Sequence, residues 1–305
     1  MAAAMYLLMI FVWGFSWIAI KWQQGDVATE VSIFYRFALA SLLMFLIGLV
    51  FKKLQTTKLS QHPWFALQGL CLFCMNFMAF YSATHYIASG LTAVIMATAP
   101  IFNAFHGRLF YGTPTTANFW LGVLVGLSGI VLLFGVDLRG AMDTSSGADT
   151  LLWGLAFSLL GTWFFSIGNM ISMRNTRNQV SPFTATAYAM LYGCLALLFI
   201  IALKGLSFTL PLTPTYLGGL LYLAIPASVI GFTTYLMLVD RIGANGAAYL
   251  LVITPIVALA VSSVFEGYQW TWYSSAGLLL VLVGNILTRR QKPLRVFGLT
   301  VSKAA

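Results

Sequence analysis

Residues 87–112 read IASGLTAVIMATAPIFNAFHGRLFYG and residues 242–267 read IGANGAAYLLVITPIVALAVSSVFEG, and the two align without a gap at an offset of 155 (242 − 87). Ile87 falls on Ile242, Pro100 on Pro255, Ile101 on Ile256, Phe110 on Phe265 and Gly112 on Gly267. The register holds forward, with Thr116 on Thr271, Gly122 on Gly277, Gly129 on Gly284 and Leu132 on Leu287. It also holds backward, with Phe77 on Phe232 and Phe80 on Tyr235. Nearer the start it slips by several residues, as loops of unequal length allow: Trp13, Phe15 and Ser16 meet Trp163, Phe165 and Ser166, while Val31, Ser32 and Phe34 meet Val180, Ser181 and Phe183. One identity is cheap, but a shared order across most of two halves marks a duplication.

Each copy is a long apolar stretch with a central proline, and the whole chain is 60% hydrophobic and 8% charged, against roughly 45–50% and 25% in an average soluble domain. That composition belongs to a polytopic membrane protein. Crossing the hydrocarbon takes about 20 mainly apolar residues. Charges, prolines and glycines cut the chain into spans near 3–21, 31–51, 64–84, 88–109, 116–135, 150–172, 181–203, 215–238, 243–265 and 269–288. The stretch 63–107 has no Lys, Arg, Asp or Glu and is too long for one helix, which predicts a turn around Ser89 and Gly90. Five spans per half is an odd number, so the second half enters the bilayer upside down. The expected fold is all-α, ten transmembrane helices in two inverted five-helix repeats, the internal symmetry of secondary transporters. The expected units are 1–141 and 142–290, then a basic tail, 291–305. No basic region precedes the first span and more spans follow it, which predicts no cleaved signal peptide.

Basic residues orient the spans. With the amino terminus inside, Lys52, Lys53, Lys58, Arg108, Arg174, Arg177, Arg241, Arg289, Arg290, Lys292, Arg295 and Lys303 are cytoplasmic, leaving Lys21, Arg36, Arg139 and Lys204 outside. Both termini are therefore expected in the cytoplasm of a cell with this protein in its inner (plasma) membrane. The net charge of +9 then reads as cytoplasmic rims facing anionic lipid rather than as a nucleic-acid surface, for which the segmentation leaves no soluble domain. All seven acids, Asp26, Glu30, Asp137, Asp143, Asp149, Asp240 and Glu266, fall in loops or at span ends. A mid-membrane carboxylate with a burial-raised pKa is one common route to proton coupling. Without one, coupling rests on His85, His106, Arg36, Lys21 or a rim acid such as Glu266, or the substrate gradient alone drives transport.

These residues resemble the EamA branch of the drug/metabolite transporter superfamily. The echoes are WGFSWIAIK at Trp13–Lys21, FYRFALASLL at Phe34–Leu43, GLTAVIMATAPIFNAFHGRLFYG at Gly90–Gly112 and ITPIVALAVSSVFEG at Ile253–Gly267, and the resemblance runs from about residue 3 to 290. One departure is plain: many members follow the proline helix of each half with glycine and then glutamate, whereas here Thr113 follows Gly112 and Tyr268 follows Gly267. The resemblance implies a cavity between the halves, lined by spans one, three, four, six, eight and nine, and a cargo of amino acids, nucleosides, other small metabolites or drugs, often moved outward.

The residues themselves outline an aromatic pocket. Trp13, Ser16 and Trp17 share a helix face by their three and four spacing, and Trp163 and Ser166 repeat that pattern in span six. Asn76, Phe77, Phe80, Asn169, Tyr235, Tyr249 and Thr254 complete the candidates for substrate contact; plain packing against lipid or neighbouring helices is the competing reading. Asn76, Asn103, Asn169 and Asn285 need partners, because an unpaired amide in hydrocarbon costs several kcal/mol. Arg36 reads in two ways: as a carboxylate receptor or outer-gate partner of Glu30 or Glu266, or as a side chain snorkelling to the interface. The second is favoured, because the resemblance implies a basic residue at this place whatever the substrate. Lys21 and Trp22 read as an interface anchor. Pro100 and Pro255 each remove a backbone donor at mid-span, exposing carbonyls near Met96 and Leu251 to a ligand or a neighbouring helix, with the kinks as hinges or as fixed bends, and Pro226 adds a kink in span eight. Gly122 and Gly126 suggest close packing of span five, with a homodimer as an alternative to the expected monomer.

Other chemistry has little footing. Cys71, Cys74 and Cys194 are too few for a disulfide framework. His62, His85 and His106 lack a ligand cluster for a metal, and no phosphate loop or nucleophile elbow occurs. No cofactor and no enzymatic activity are expected. The sequence reading is therefore a secondary transporter that exports or exchanges small amphipathic metabolites such as amino acids. Its alternatives are a multidrug or organic-cation exporter, an uptake carrier, and, less in keeping with inverted halves, a membrane sensor.

Overall fold

The structure is a computed structural model that describes residues 2–112, 114, 116–141, 147–235, 237, 238 and 250–289. Tyr249, the expected tail 291–305 and the first residues of the second proline segment lie outside the described residues. The secondary structure of the described residues is entirely helical. In chain order the elements are α1 (Ala2–Trp22), α2 (Thr29–Val50), α3 (Leu59–Tyr86), α4 (Ser89–Met96), α5 (Ala99–Tyr111), α6 (Ala117–Ala141), α7 (Gly147–Arg177), α8 (Pro182–Leu203), α9 (Pro214–Tyr235), α10 (Leu250–Phe265) and α11 (Trp272–Arg289).

Seven of them, α1, α2, α3, α6, α7, α8 and α9, are long and apolar enough to cross a membrane, and α10 and α11 contain shorter apolar helices. The predicted span 88–109 is instead the broken pair α4 and α5. Helix ends follow local chemistry. Ser181 accepts a hydrogen bond from the Thr184 amide with Pro182 in the first turn, and Thr213 does the same for Tyr216 ahead of Pro214. Both arrangements satisfy a donor that the first turn leaves free. Gly112 and Gly267, matched in the duplication, follow α5 and α10 with φ of 62° and 71°, a left-handed conformation that costs glycine nothing.

Two wide-turn π segments interrupt the helices, Leu70–Met75 in α3 and Leu223–Ile230, around Pro226, in α9. Shifted by the duplication offset of 155, the first falls on 225–230, inside the second. The kink expected at Pro226 is thus a π segment, and its counterpart in α3 has no proline to announce it. The two conserved-register prolines differ as well. Pro100 lies in the first turn of α5 after a break at Ala97–Thr98, whereas Pro255 sits within a continuous α10. At the break the Ala97 carbonyl accepts from Asn285 Nδ2 at 2.6 Å, so this amide, flagged in the sequence as needing a partner, closes a backbone gap.

The core joins the two halves. α1 packs on α10 and α9, while α7 packs on α4, α5 and α3, and α2 lies against α8. The most extensive crossing is α6 on α11. A Cβ at Gly122 would lie 2.6 Å from the Gly284 carbonyl oxygen, and one at Gly129 2.6 Å from that of Gly277. Numbers rise along one helix as they fall along the other, so these two duplicates run antiparallel. Their glycine stripe is consumed within the chain. Gly129→Leu should therefore lower the thermal unfolding temperature in detergent, at a cost of about 1–3 kcal/mol or more, because backbone cannot yield as a side chain does. Gly135→Leu, where nothing lies within 4 Å, should leave it unchanged.

Candidate functional site

A cavity of about 520 Å³ lies at the centre of the bundle, with walls from α1, α2, α3, α5, α7, α9 and α10 among others. Its walls follow from helical period. On α1, Trp13, Ser16, Trp17 and Ile20 all line it, a three and four spacing that keeps one stripe inward. On α3, Phe73, Asn76, Phe77 and Phe80 do the same. Trp17 meets Phe80 edge to face at 5.2 Å, and Trp13 sits 5.5 Å from Tyr235 and 6.1 Å from Phe232. The Trp13 indole donates to the Ala227 carbonyl at 3.1 Å, a backbone acceptor within the π segment of α9. Hydroxyl protons of Ser16 and Thr254 are spent on their own helices, at the carbonyls of Trp13 and Leu250, leaving their lone pairs available.

The asparagines divide. Asn76 is buried and donates to the Gly161 carbonyl at 3.0 Å. Asn169 reaches Asn103 at 3.5 Å, and both line the cavity, with Pro100 beside Asn103. Of the sequence candidates, the structure thus brings together Trp13, Ser16, Trp17, Asn76, Phe77, Phe80, Asn169, Tyr235, Thr254, Pro100 and Arg36.

Trp163 and Ser166 lie elsewhere. Trp163 is 37% exposed and packs on Phe102, Phe105 and, at 4.4 Å, His106. Ser166 bonds His106 Nδ1 at 2.8 Å. The match of Trp13 with Trp163 holds in sequence, but the two indoles have different neighbours. Phe165, one residue from Ser166, lines the cavity instead. Phe232 lines it too and was legible in principle, since it is the register partner of Phe77. Met96 lines it as well, beside the backbone singled out by Pro100, whereas Phe119, Met170, Met173 and Thr288 carried no signal in the sequence.

Arg36 departs from its snorkelling reading. It is 4% exposed and lines the cavity. Its Nε donates to Ser228 at 3.3 Å, and its guanidinium lies 4.3 Å from the Phe77 ring centroid and 4.9 Å from that of Phe37. The expected gate partners are engaged elsewhere, Glu30 with Lys204 at 2.6 Å and Glu266 with the start of α4.

Glu266 is the centre of a second cluster. Its carboxylate accepts from the Ser89 amide at 3.0 and 3.2 Å, from the Ser89 hydroxyl at 2.7 Å and from the Ser262 hydroxyl, while the Gly90 amide donates to Ser262 at 2.8 Å. This caps the first turn of α4 with a negative charge, where free amides and the helix dipole favour one. Around it, Lys21 donates to the Thr84 carbonyl, Gln24 donates to Tyr81 and Thr84, and Tyr81 donates to Gln23 at 2.6 Å. The layer ties α1 and the end of α10 to α3 and α4. No Glu266 atom lines the cavity.

Seven helices long and apolar enough to cross a membrane, arranged around a cavity, fit a multi-pass membrane protein. The sequence profile of the EamA-like transporter family matches residues 1–135 and 152–290; the chain belongs to that family. An uncharacterized transporter of Archaeoglobus fulgidus is 23% identical over 287 residues, covering 93% of this chain and 97% of that one. The uncharacterized inner membrane transporter YedA of Escherichia coli is 29% identical over 206 residues, covering 66% of this chain and 62% of its own length. YdfC, an uncharacterized transporter of Bacillus subtilis, is 26% identical over 289 residues, covering 92% and 86%. A crystal structure 16% identical in sequence shares the fold with a TM-score of 0.64, covering 94% of this chain and 96% of that one.

Proposed function

We propose that this EamA-family transporter moves small amphipathic metabolites across the inner membrane by alternating access, exporting or exchanging them, with bulky and aromatic amino acids as the first class to test. The observation that carries the reading is the central cavity, whose walls come from both halves of the duplication and whose aromatic surface suits a small apolar body. The antiparallel crossing of α6 and α11, which are duplicates, supports ten helices in two inverted five-helix repeats, 1–141 and 142–290. Rocking of such halves about a shared cavity is the usual motion of this architecture.

With both termini cytoplasmic, as the basic residues predict, the Glu266 layer is the outer side, and the cavity wall extends from it toward Phe119, Met173 and Thr288, near the cytoplasmic arginines. The structure then corresponds to a state closed outward. Because the α6 glycines are buried against α11, a monomer is the favoured assembly.

Counterflow in proteoliposomes tests the reading. Vesicles preloaded with unlabelled amino acids should accumulate labelled phenylalanine transiently, above protein-free vesicles. If neither phenylalanine nor, in the same assay, nucleosides and organic cations enter through a folded protein, these substrate classes are excluded.

A further inference from the structure

We infer that Arg36 is an anion anchor, and that the transported compound is recognised as a monocarboxylate whose apolar body lies against the aromatic walls, a positive charge on the compound adding nothing to its binding. The inference rests on the transport reading and narrows its substrate class.

The first support is uncompensated charge. Arg36 keeps its positive charge at any accessible pH, it is buried, and among the described residues its charge meets no carboxylate within ion-pair distance; the acid on its own helix, Glu30, is held by Lys204. Its neighbours are neutral: the Ser228 hydroxyl, the Tyr81 side chain, and the faces of Phe77 and Phe37. Nη1 is buried with no hydrogen-bond partner. Ring faces attract a guanidinium, but they do not accept its in-plane hydrogen bonds, and a buried charge left without a counter-charge is costly. A ligand carboxylate removes that cost and matches the planar fork of donors.

The second support is the rest of the wall. Among the described lining residues Arg36 is the charged one; the polar remainder is Ser16, Asn76, Asn103, Asn169, Tyr235 and Thr254, with Thr288 at the far end, and no Asp or Glu. A dianion such as a phosphate monoester would bring a second charge with no cation to receive it. The ammonium of a zwitterion would be stripped of water with only neutral oxygens and ring faces to replace it, so it gains little. Phe77 links the two parts of the site, since one ring both lines the cavity and covers the guanidinium.

A series of near-isosteric ligands titrated calorimetrically into the purified full-length protein in detergent, with detergent blanks subtracted, tests this. We expect 3-phenylpropionate to bind at least about tenfold more tightly than 3-phenylpropanamide or 2-phenylethylamine, with phenylalanine no tighter than 3-phenylpropionate. Arg36→Gln should erase the preference for acid over amide, and Arg36→Lys, which keeps the charge but not the fork, should retain part of it. Equal binding of acid and amide, tighter binding of the amine or the zwitterion, or no detectable binding of the acid overturns the inference. The wild-type series decides even if a variant fails to fold. Counterflow of an amine or a nucleoside alongside such a result would leave the transport reading standing while the anion site falls.

Discussion

Ala104→Trp should abolish counterflow, lowering its initial rate by at least about tenfold, equivalent to about 1.4 kcal/mol, while the unfolding temperature stays near that of the parent. Ala104 lines the cavity one residue from Asn103 on α5. A tryptophan there grows into empty space. In a close-packed core the same enlargement costs about 1–3 kcal/mol of stability, so the pairing of lost transport with kept stability separates a cavity from a core. Retained transport would show that the compound does not pass this way. Trp163→Ala is the matched control: it removes a large aromatic of the duplicated motif from outside the cavity and should leave counterflow within about twofold, a change below 0.5 kcal/mol.

Glu266→Ala should release the layer that closes one end of the cavity. The carboxylate accepts from two groups of Ser89 and from Ser262, and hydrogen bonds to charged groups contribute about 1.5–3 kcal/mol each. Losing about 2 kcal/mol from the closed state shifts the open-to-closed ratio roughly 30-fold. The readout is a cysteine introduced at Ser16, in a background with Cys71, Cys74 and Cys194 replaced, labelled by a membrane-impermeant thiol reagent applied from the Glu266 side. Labelling should accelerate by at least about tenfold in the variant. Glu266→Gln, which keeps an acceptor oxygen without the charge, should fall between parent and alanine. An unchanged rate in both variants would mean that another contact holds this end shut.

The two outcomes bear on different parts of the transport cycle. The α5 substitution tests where the compound travels, and the Glu266 substitution tests what separates the cavity from one side of the membrane. The second depends on contacts between the halves, since Ser262 lies in α10 and Glu266 just after it, while their partners Ser89 and Gly90 open α4.

Much of this was readable from local pattern. The apolar spans, the duplication and the inward stripes Trp13, Ser16, Trp17 and Asn76, Phe77, Phe80 depend on hydropathy and helical period, which neighbouring residues alone determine. Other features were not local. Trp163 copies Trp13 in sequence, yet which indole faces the cavity depends on the helix packed against it, and Trp13 faces a π segment carbonyl whereas Trp163 faces His106. Pro100 ends up after a break and Pro255 inside a helix, and it is Asn285, far away in sequence, that donates to the Ala97 carbonyl left at the break. Arg36 stands about two turns from a helix end, where snorkelling is the natural expectation; the rings of Phe37 and Phe77 and the Ser228 hydroxyl hold it inward instead. The sequence by itself determined the membrane class, the duplication and the faces of individual helices, because these follow from composition and period. Tertiary structure alone decided which faces enclose the cavity, which carboxylate caps α4 and which cation the cavity contains, because side chains distant in the chain supply those contacts.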